Sequence, residues 1–108
     1  IDKIILEEGK VLLEKVRKGN KIIALEITGK QWTTKQLSIQ LKKFHDDSDD
    51  ISLLIGGPEG LSQECLSAAD IKWSLSHLTF PHPLVRVILA EQIYRAYSII
   101  SNHPYHRD

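Results

Sequence analysis

A short apolar run, Ile51-Ser52-Leu53-Leu54-Ile55, breaks off into Gly56-Gly57-Pro58-Glu59-Gly60, and Ser62 then opens a new segment with a residue that helix starts favour. This order of strand, glycine loop and helix constrains the chain more than any other feature. A mostly apolar run of five residues suits a strand and is too short for a helix, so it predicts a strand covered on both faces. The same alternation recurs along the chain. Asp2 can cap a helix with apolar positions at Ile5, Leu12, Leu13 and Val16, which Gly19-Asn20 ends. Lys21 to Ile27 predicts a strand and Thr28-Gly29-Lys30 a turn, while Thr33 with Gln36 three residues on makes a capping box. The helix so opened puts Leu37, Leu41 and Phe44 on one face, and the stretch HDDSDD closes it as an exposed acidic loop. Ser62 caps a short helix through Ala69, and Lys72 to Leu75 reads as a third strand. Ser76 to Pro83 is irregular, with Pro83 as the first residue of a long last helix. Pro104 keeps the tail, NHPYHRD, from continuing that helix. Strands alternating with helices predict one α/β domain over 1–108, a mainly parallel sheet with helices on both faces.

Composition narrows the function classes. The 14 basic and 14 acidic residues balance, which removes the global positive field of many nucleic-acid binders and leaves room only for a local patch. Ten of the fourteen Lys and Arg lie in the first half, Lys15, Arg17, Lys18, Lys21 and Lys30 among them; each is a solvated face or part of an RNA contact. Cys65 is the single cysteine, so no internal disulfide forms and a reducing compartment, the cytoplasm, is expected. Arg86, Glu91 and Arg95 interrupt the most apolar segment, Leu84 to Ile100, so no membrane span is expected there. That segment is nonetheless apolar on nearly every face, more than one small sheet can bury, and a second protomer is its simplest cover.

In parallel sheets ligands sit beyond the carboxyl ends of the strands, which selects the loops 56–60 and 76–83. The first fails both common phosphate motifs. A Walker loop needs Gly-Lys-Ser/Thr where Gly60-Leu61-Ser62 stands, and a dinucleotide fingerprint needs glycine where Ile55 stands. What is left is either a tight turn needing positive φ or a loop whose bare backbone approaches a neutral or cationic ligand.

The blocks IALEITGKQW, LLIGGPEGLS, WSLS and LTFPHPLVRVILAEQIYRAYSIISNHPYHRD, in this order, resemble the large-subunit ribosomal RNA methyltransferase H family. That family belongs to the SPOUT superfamily of S-adenosylmethionine-dependent methyltransferases and methylates N3 of a pseudouridine in 23S rRNA. The resemblance covers essentially the whole chain, and NHPYHR is its most specific block. It implies a C-terminal trefoil knot, a homodimer through the last helix, action on the assembled ribosome, and a first strand and helix preceding this sequence. It also implies a cofactor site at Leu25, Gly57 and the run Ser76, His77, Leu78, Thr79, Phe80 and Pro81. An apolar slot from Leu25, Leu78 and Phe80 suits adenine, and a glycine at 57 admits close backbone contact.

By the same resemblance the active site is composite, with one protomer's tail completing the other's cofactor site. Tyr105, His106 and Arg107 are then the catalytic candidates. A uracil-like N3–H is weakly acidic, so a base must take its proton, and His106 is the candidate. The anion spreads onto ring oxygens, where the Arg107 guanidinium can hold it or a phosphate. Tyr105 offers a stacking surface. Plainer readings stand beside these. Glu91 and Arg95 form either a simple i, i+4 helix pair or part of an interface or active site. His77 and His82 are ordinary loop residues or backbone contacts to a cofactor. Trp32 and Trp73 read as packing residues. No metal site is expected, because His103 and His106 flank Pro104 and lack partners at zinc spacing, and DDSDD lacks the glycine and distal glutamate of a calcium loop.

Overall fold

The computed structural model describes residues 2–56 and 60–106, and for residues 2–5 and 8 the backbone only. Helix α1 (Asp2–Lys15) is followed by strand β1 (Lys21–Gln31), α2 (Thr34–Asp46), β2 (Ile51–Leu54), α3 (Gln63–Ala68), β3 (Ile71–Ser74) and α4 (His82–Ile100). The class is α/β. The three described strands are all parallel, in the order β2-β1-β3. The chain divides into two compact units, one of Ile1–Gln31 with Asp50–Thr79, the other of Trp32–Asp49 with Phe80–Asp108.

The first unit is built on β1. Lys21, Ile22, Ile23 and Ala24 pair with Ile51, Ser52, Leu53 and Leu54 on one side, and Ile23, Ala24 and Leu25 pair with Ile71, Lys72 and Trp73 on the other. Side chains fix where the strands start. Asp70 accepts from the Ile22 amide at 2.8 Å and returns its own amide to the Ile22 carbonyl, while Asn20 donates to Ser52 Oγ at 3.1 Å. Ile23, Ala24, Leu54 and Trp73 are buried along the strands. Helix α3 packs on α1, and the buried Cys65 thiol faces the Gly9 carbonyl at 3.5 Å.

Two strand expectations change. The segment 28–30 is not a turn that ends β1. The strand runs on to Gln31, with a register shift after Leu25 and pairing resumed at Lys30 and Gln31 with Trp73 and Ser74. Gly29 makes this possible, since a Cβ there would lie 2.6 Å from the Lys72 carbonyl carbon, inside contact distance of a neighbouring backbone. Nor is β2 covered on both faces. Only Leu54 is buried, Ile51 to Leu53 are half-buried, and among the described strands β2 pairs with β1 alone, which makes it an edge. A strand at the edge of a parallel sheet keeps an apolar sequence without full cover, so the run of hydrophobic residues overstated its burial.

The second unit is an α2–α4 pair. Thr33 and Gln36 form the complete capping box, side chain to backbone in both directions at 3.1 and 2.9 Å. Leu37 and Leu41 are buried as expected, and Phe44 at the end of the stripe is half-buried. Helix α2 ends in a Schellman motif. Ser48 at φ 58° gives its amide to the His45 carbonyl, and Asp49 gives its amide to that of Phe44. Helix α4 starts one residue before Pro83, with Pro81 at the cap position and its carbonyl taking the Leu84 and Val85 amides. Leu89 and Ala96 are its buried apolar residues, and the buried Ser98 hydroxyl turns back to the Arg95 carbonyl at 2.6 Å.

Substituting Gly29→Ala pushes a methyl into the Lys72 backbone and is expected to destabilise the protein by about 1–3 kcal/mol in urea unfolding. Replacing the left-handed Ser48 by glycine relieves a strained helix end, and its expected gain is about 0.5–1 kcal/mol in the same measurement.

Candidate functional site

Two groups of expected site residues have a described geometry, one in each unit. In the first, parallel strands point the same way, so the irregular stretch of β1 after Leu25 and the segments after Leu54 and Ser74 lie toward one edge of the sheet. Leu25 is half-buried opposite Trp73. The loop after β2 closes at its base, where a Cβ on Gly56 would come within 2.5 Å of the Gly60 backbone and Gly60 takes φ +89°. The two glycines thus do different work: one permits contact, the other permits a left-handed turn. Gly57 itself lies outside the described residues.

After β3, Ser76 shapes its own loop. Its hydroxyl accepts the Leu78 amide at 3.0 Å and its carbonyl accepts the Ser74 hydroxyl at 3.0 Å. That turn lifts His77, Leu78 and Thr79 toward solvent, and Leu78, a large apolar residue, is 70% exposed. In the second unit, Phe80 is half-buried and Pro81 exposed at the start of α4.

The second group is the tail. Helix α4 stops at Ser101 with a second Schellman motif: the Asn102 amide bonds the Ile99 carbonyl at 3.1 Å and the His103 amide bonds that of Ser98 at 2.8 Å. Asn102 supplies the left-handed residue, at φ 60°. Pro104 follows, and His103 Nδ1 accepts the Tyr105 amide at 3.2 Å. The chain therefore doubles back, and Tyr105 and His106 reach side chains on α4 that lie 10 to 14 residues earlier.

Those side chains are Glu91, Tyr94 and Arg95. Arg95 binds Glu91 Oε1 through Nη2 at 2.7 Å and Nε at 2.9 Å. Its guanidinium carbon lies 4.8 Å from the Tyr105 ring centroid, a cation–π contact, and Tyr94 meets the same ring edge-on at 4.7 Å. The Tyr105 hydroxyl donates to Glu91 Oε1 at 3.3 Å, and Arg95 Nη1 reaches His106 Nδ1 at 3.3 Å. On its other side Glu91 Oε2 takes Gln92 Nε2 at 3.2 Å, and Gln92 Oε1 takes the Thr34 hydroxyl at 2.7 Å. A connected chain runs from the first turn of α2 to the tail. Of the three catalytic candidates it gathers Tyr105 and His106, while Arg107 lies outside the described residues.

Glu91 and Arg95 are therefore more than an exposed helix pair. Their side chains are 36% and 28% exposed, and both are tied to the tail. Sequence periodicity could pair them with each other but not with residues beyond the helix. The signal for the doubled-back tail was Asn102 followed by Pro104, which is how a Schellman stop reads in sequence. Among the described residues no three His, Cys, Asp or Glu side chains gather as a metal site, and no helix is long and apolar enough to cross a membrane.

The Glu91 carboxyl is held below its ordinary value by the Arg95 hydrogen bond first. Partial burial opposes this, and the Arg95 charge, the Tyr105 hydroxyl and His106 reinforce it. A depressed carboxyl contributes stability above its ordinary value and loses it only as pH falls through the lower, folded value. The Glu91 side-chain carboxyl carbon resonance in an NMR titration is thus expected to reach its midpoint only below 4.5, the ordinary value.

A family model described as "Predicted SPOUT methyltransferase" matches residues 1–106, a span that takes in every strand and helix described above, both loop segments and the tail through His106. Methyl transfer in this family generally draws on S-adenosylmethionine, and the parallel-sheet edge and the tail cluster are parts of one such enzyme: the chain belongs to the SPOUT methyltransferase family.

Proposed function

We propose that the protein transfers a methyl group from S-adenosylmethionine to N3 of a pseudouridine in 23S rRNA, acting on the assembled ribosome in the cytoplasm, as an enzyme of the ribosomal RNA methyltransferase H type. The observation that carries this reading is the tail. Of NHPYHR, the block most specific to that type, Asn102 to His106 are turned back by a dedicated helix stop, and Tyr105 and His106 are held by Glu91 and Arg95. A segment tied down through side chains of both charges costs conformational freedom that a passive terminus would keep.

In this reading Leu25, Gly57 and Ser76 to Pro81 hold the cofactor within a trefoil knot. The exposed Leu78 is the side chain best suited to cover an adenine, and the glycine-closed loop keeps cationic side chains away from a positive sulfonium. The chain is one SPOUT domain. Two copies pair through α4, where Leu84, Val87, Tyr94 and Tyr97 are 44–65% exposed and recur at helical spacing along one side. One protomer then supplies the cofactor and its partner supplies Tyr105, His106 and Arg107. The tyrosine ring stacks on the target base, and Arg107 holds charge as it builds on the ring oxygens. The neutral overall charge suits a substrate recognised by the shape of an assembled particle more than by phosphate attraction.

Two measurements test the proposal. Calorimetry on the full-length protein should show S-adenosylmethionine binding, and its absence would leave a non-catalytic α/β dimer. Mass spectrometry of 23S rRNA from cells lacking the gene should show the loss of one methylated pseudouridine. Loss of a different methylated base would move the substrate elsewhere within the family. Arg107→Ala should keep cofactor binding and lower the transfer rate by about 10²-fold or more, the scale of a lost transition-state contact; an unchanged rate takes Arg107 out of the mechanism.

A further inference from the structure

We propose that Arg95 is a positioning residue that fixes His106 as the neutral tautomer with its proton on Nε2. An arginine side chain has five N–H groups and no acceptor, so the 3.3 Å contact between Arg95 Nη1 and His106 Nδ1 can form only when Nδ1 offers a lone pair. An imidazolium, or the tautomer protonated at Nδ1, would turn an N–H toward a cation and lose the bond. The half-buried ring thereby carries its proton on Nε2.

The guanidinium cannot turn aside to relax this demand. Nε and Nη2 both lie on Glu91 Oε1, and one guanidinium face lies over the Tyr105 ring. Glu91 is in turn anchored by the Tyr105 hydroxyl and by Gln92, which Thr34 holds. The only Arg95 nitrogen left outside the carboxylate fork is the one aimed at His106. The tail's own backbone fixes the ring's approach through the left-handed Asn102.

The consequence for chemistry rests on the methyl-transfer reading. In this arrangement the N–H of His106 can only donate, and the ring does not take the N3 proton. The base assigned to His106 from chemistry alone becomes a donor once Arg95 occupies Nδ1.

The tautomer can be read without cofactor or RNA, so its failure is separate from any failure of the functional reading. Full-length protein carrying 15N-labelled histidine is recorded by two-bond 1H–15N correlation in mildly alkaline buffer. The expected result is an unprotonated Nδ1 and a protonated Nε2 at His106, in a ratio of roughly tenfold or more, as a hydrogen bond from a charged donor dictates. In Arg95→Met, which keeps the length of the side chain but no donor, the ratio should fall toward that of a solvated imidazole. Glu91→Gln, which loosens the clamp while keeping the guanidinium, should give an intermediate ratio. A wild-type spectrum with Nδ1 protonated, or with the two forms comparably populated, overturns the proposal whatever the variants do. So does an Arg95→Met protein that stays folded, by its Trp73 signals, and keeps the wild-type ratio. Should Arg95→Met fail to fold, the wild-type and Glu91→Gln spectra decide.

Discussion

Strand β1 is the constraint on which the first unit depends. It is bonded on both sides, to β2 from Lys21 and to β3 from Ile23, and it carries the most buried side chains of the sheet, Ile23 and Ala24. Because both partners are parallel to it, every segment leaving the sheet at its carboxyl end does so on one edge. The register is pinned at the opposite end by Asp70 and Asn20, so the position of the loops is set by contacts remote from them. A slip of one residue would turn Ile23 and Ala24 to the wrong faces. The loops can then be built of glycine, serine and exposed side chains without the sheet losing its alignment.

In the second unit the corresponding organiser is a single carboxylate. Glu91 receives Arg95, Tyr105 and Gln92, and through them it touches α2, α4 and the tail. Isolated exposed ion pairs contribute little. This one differs in being part of a network in which each member restricts the next, and the depressed carboxyl of Glu91 and the raised guanidinium of Arg95 both have the other as their leading cause. Its effect is more on geometry than on stability: it decides where the aromatic ring and the imidazole of the tail are held.

Much of this was legible in the residues because the signals are local. Thr33 with Gln36 and Ser62 before α3 each announce a helix end by chemistry contained within one turn and stand where they were read, while Pro83, read as the first residue of α4, is its second. Ile51 to Leu54 reads as a strand for the same reason. The failures are non-local. Thr28-Gly29-Lys30 has turn composition, yet the glycine is there to let β1 pass the Lys72 backbone, a neighbour more than forty residues away. The apolar run of β2 could not say that it would lie on an edge. The contact between Glu91 and Tyr105 depends on one left-handed asparagine between them, which no helical periodicity encodes. The candidate site was named from resemblance for the loops and the tail, whereas Glu91 and Arg95 acquire their connection to the tail only through the reversal at Asn102.

The order of charges along α4 carries a consequence of its own. Exchanging the two residues, with arginine at 91 and glutamate at 95, would keep an ion pair on the helix and leave the net charge untouched. It would nevertheless set an anion beside the imidazole, inviting a second proton onto the ring, and withdraw the acceptor from the phenol. The polarity of the pair is thus information, and a lineage could invert it only by rewriting the last residues of the chain at the same time.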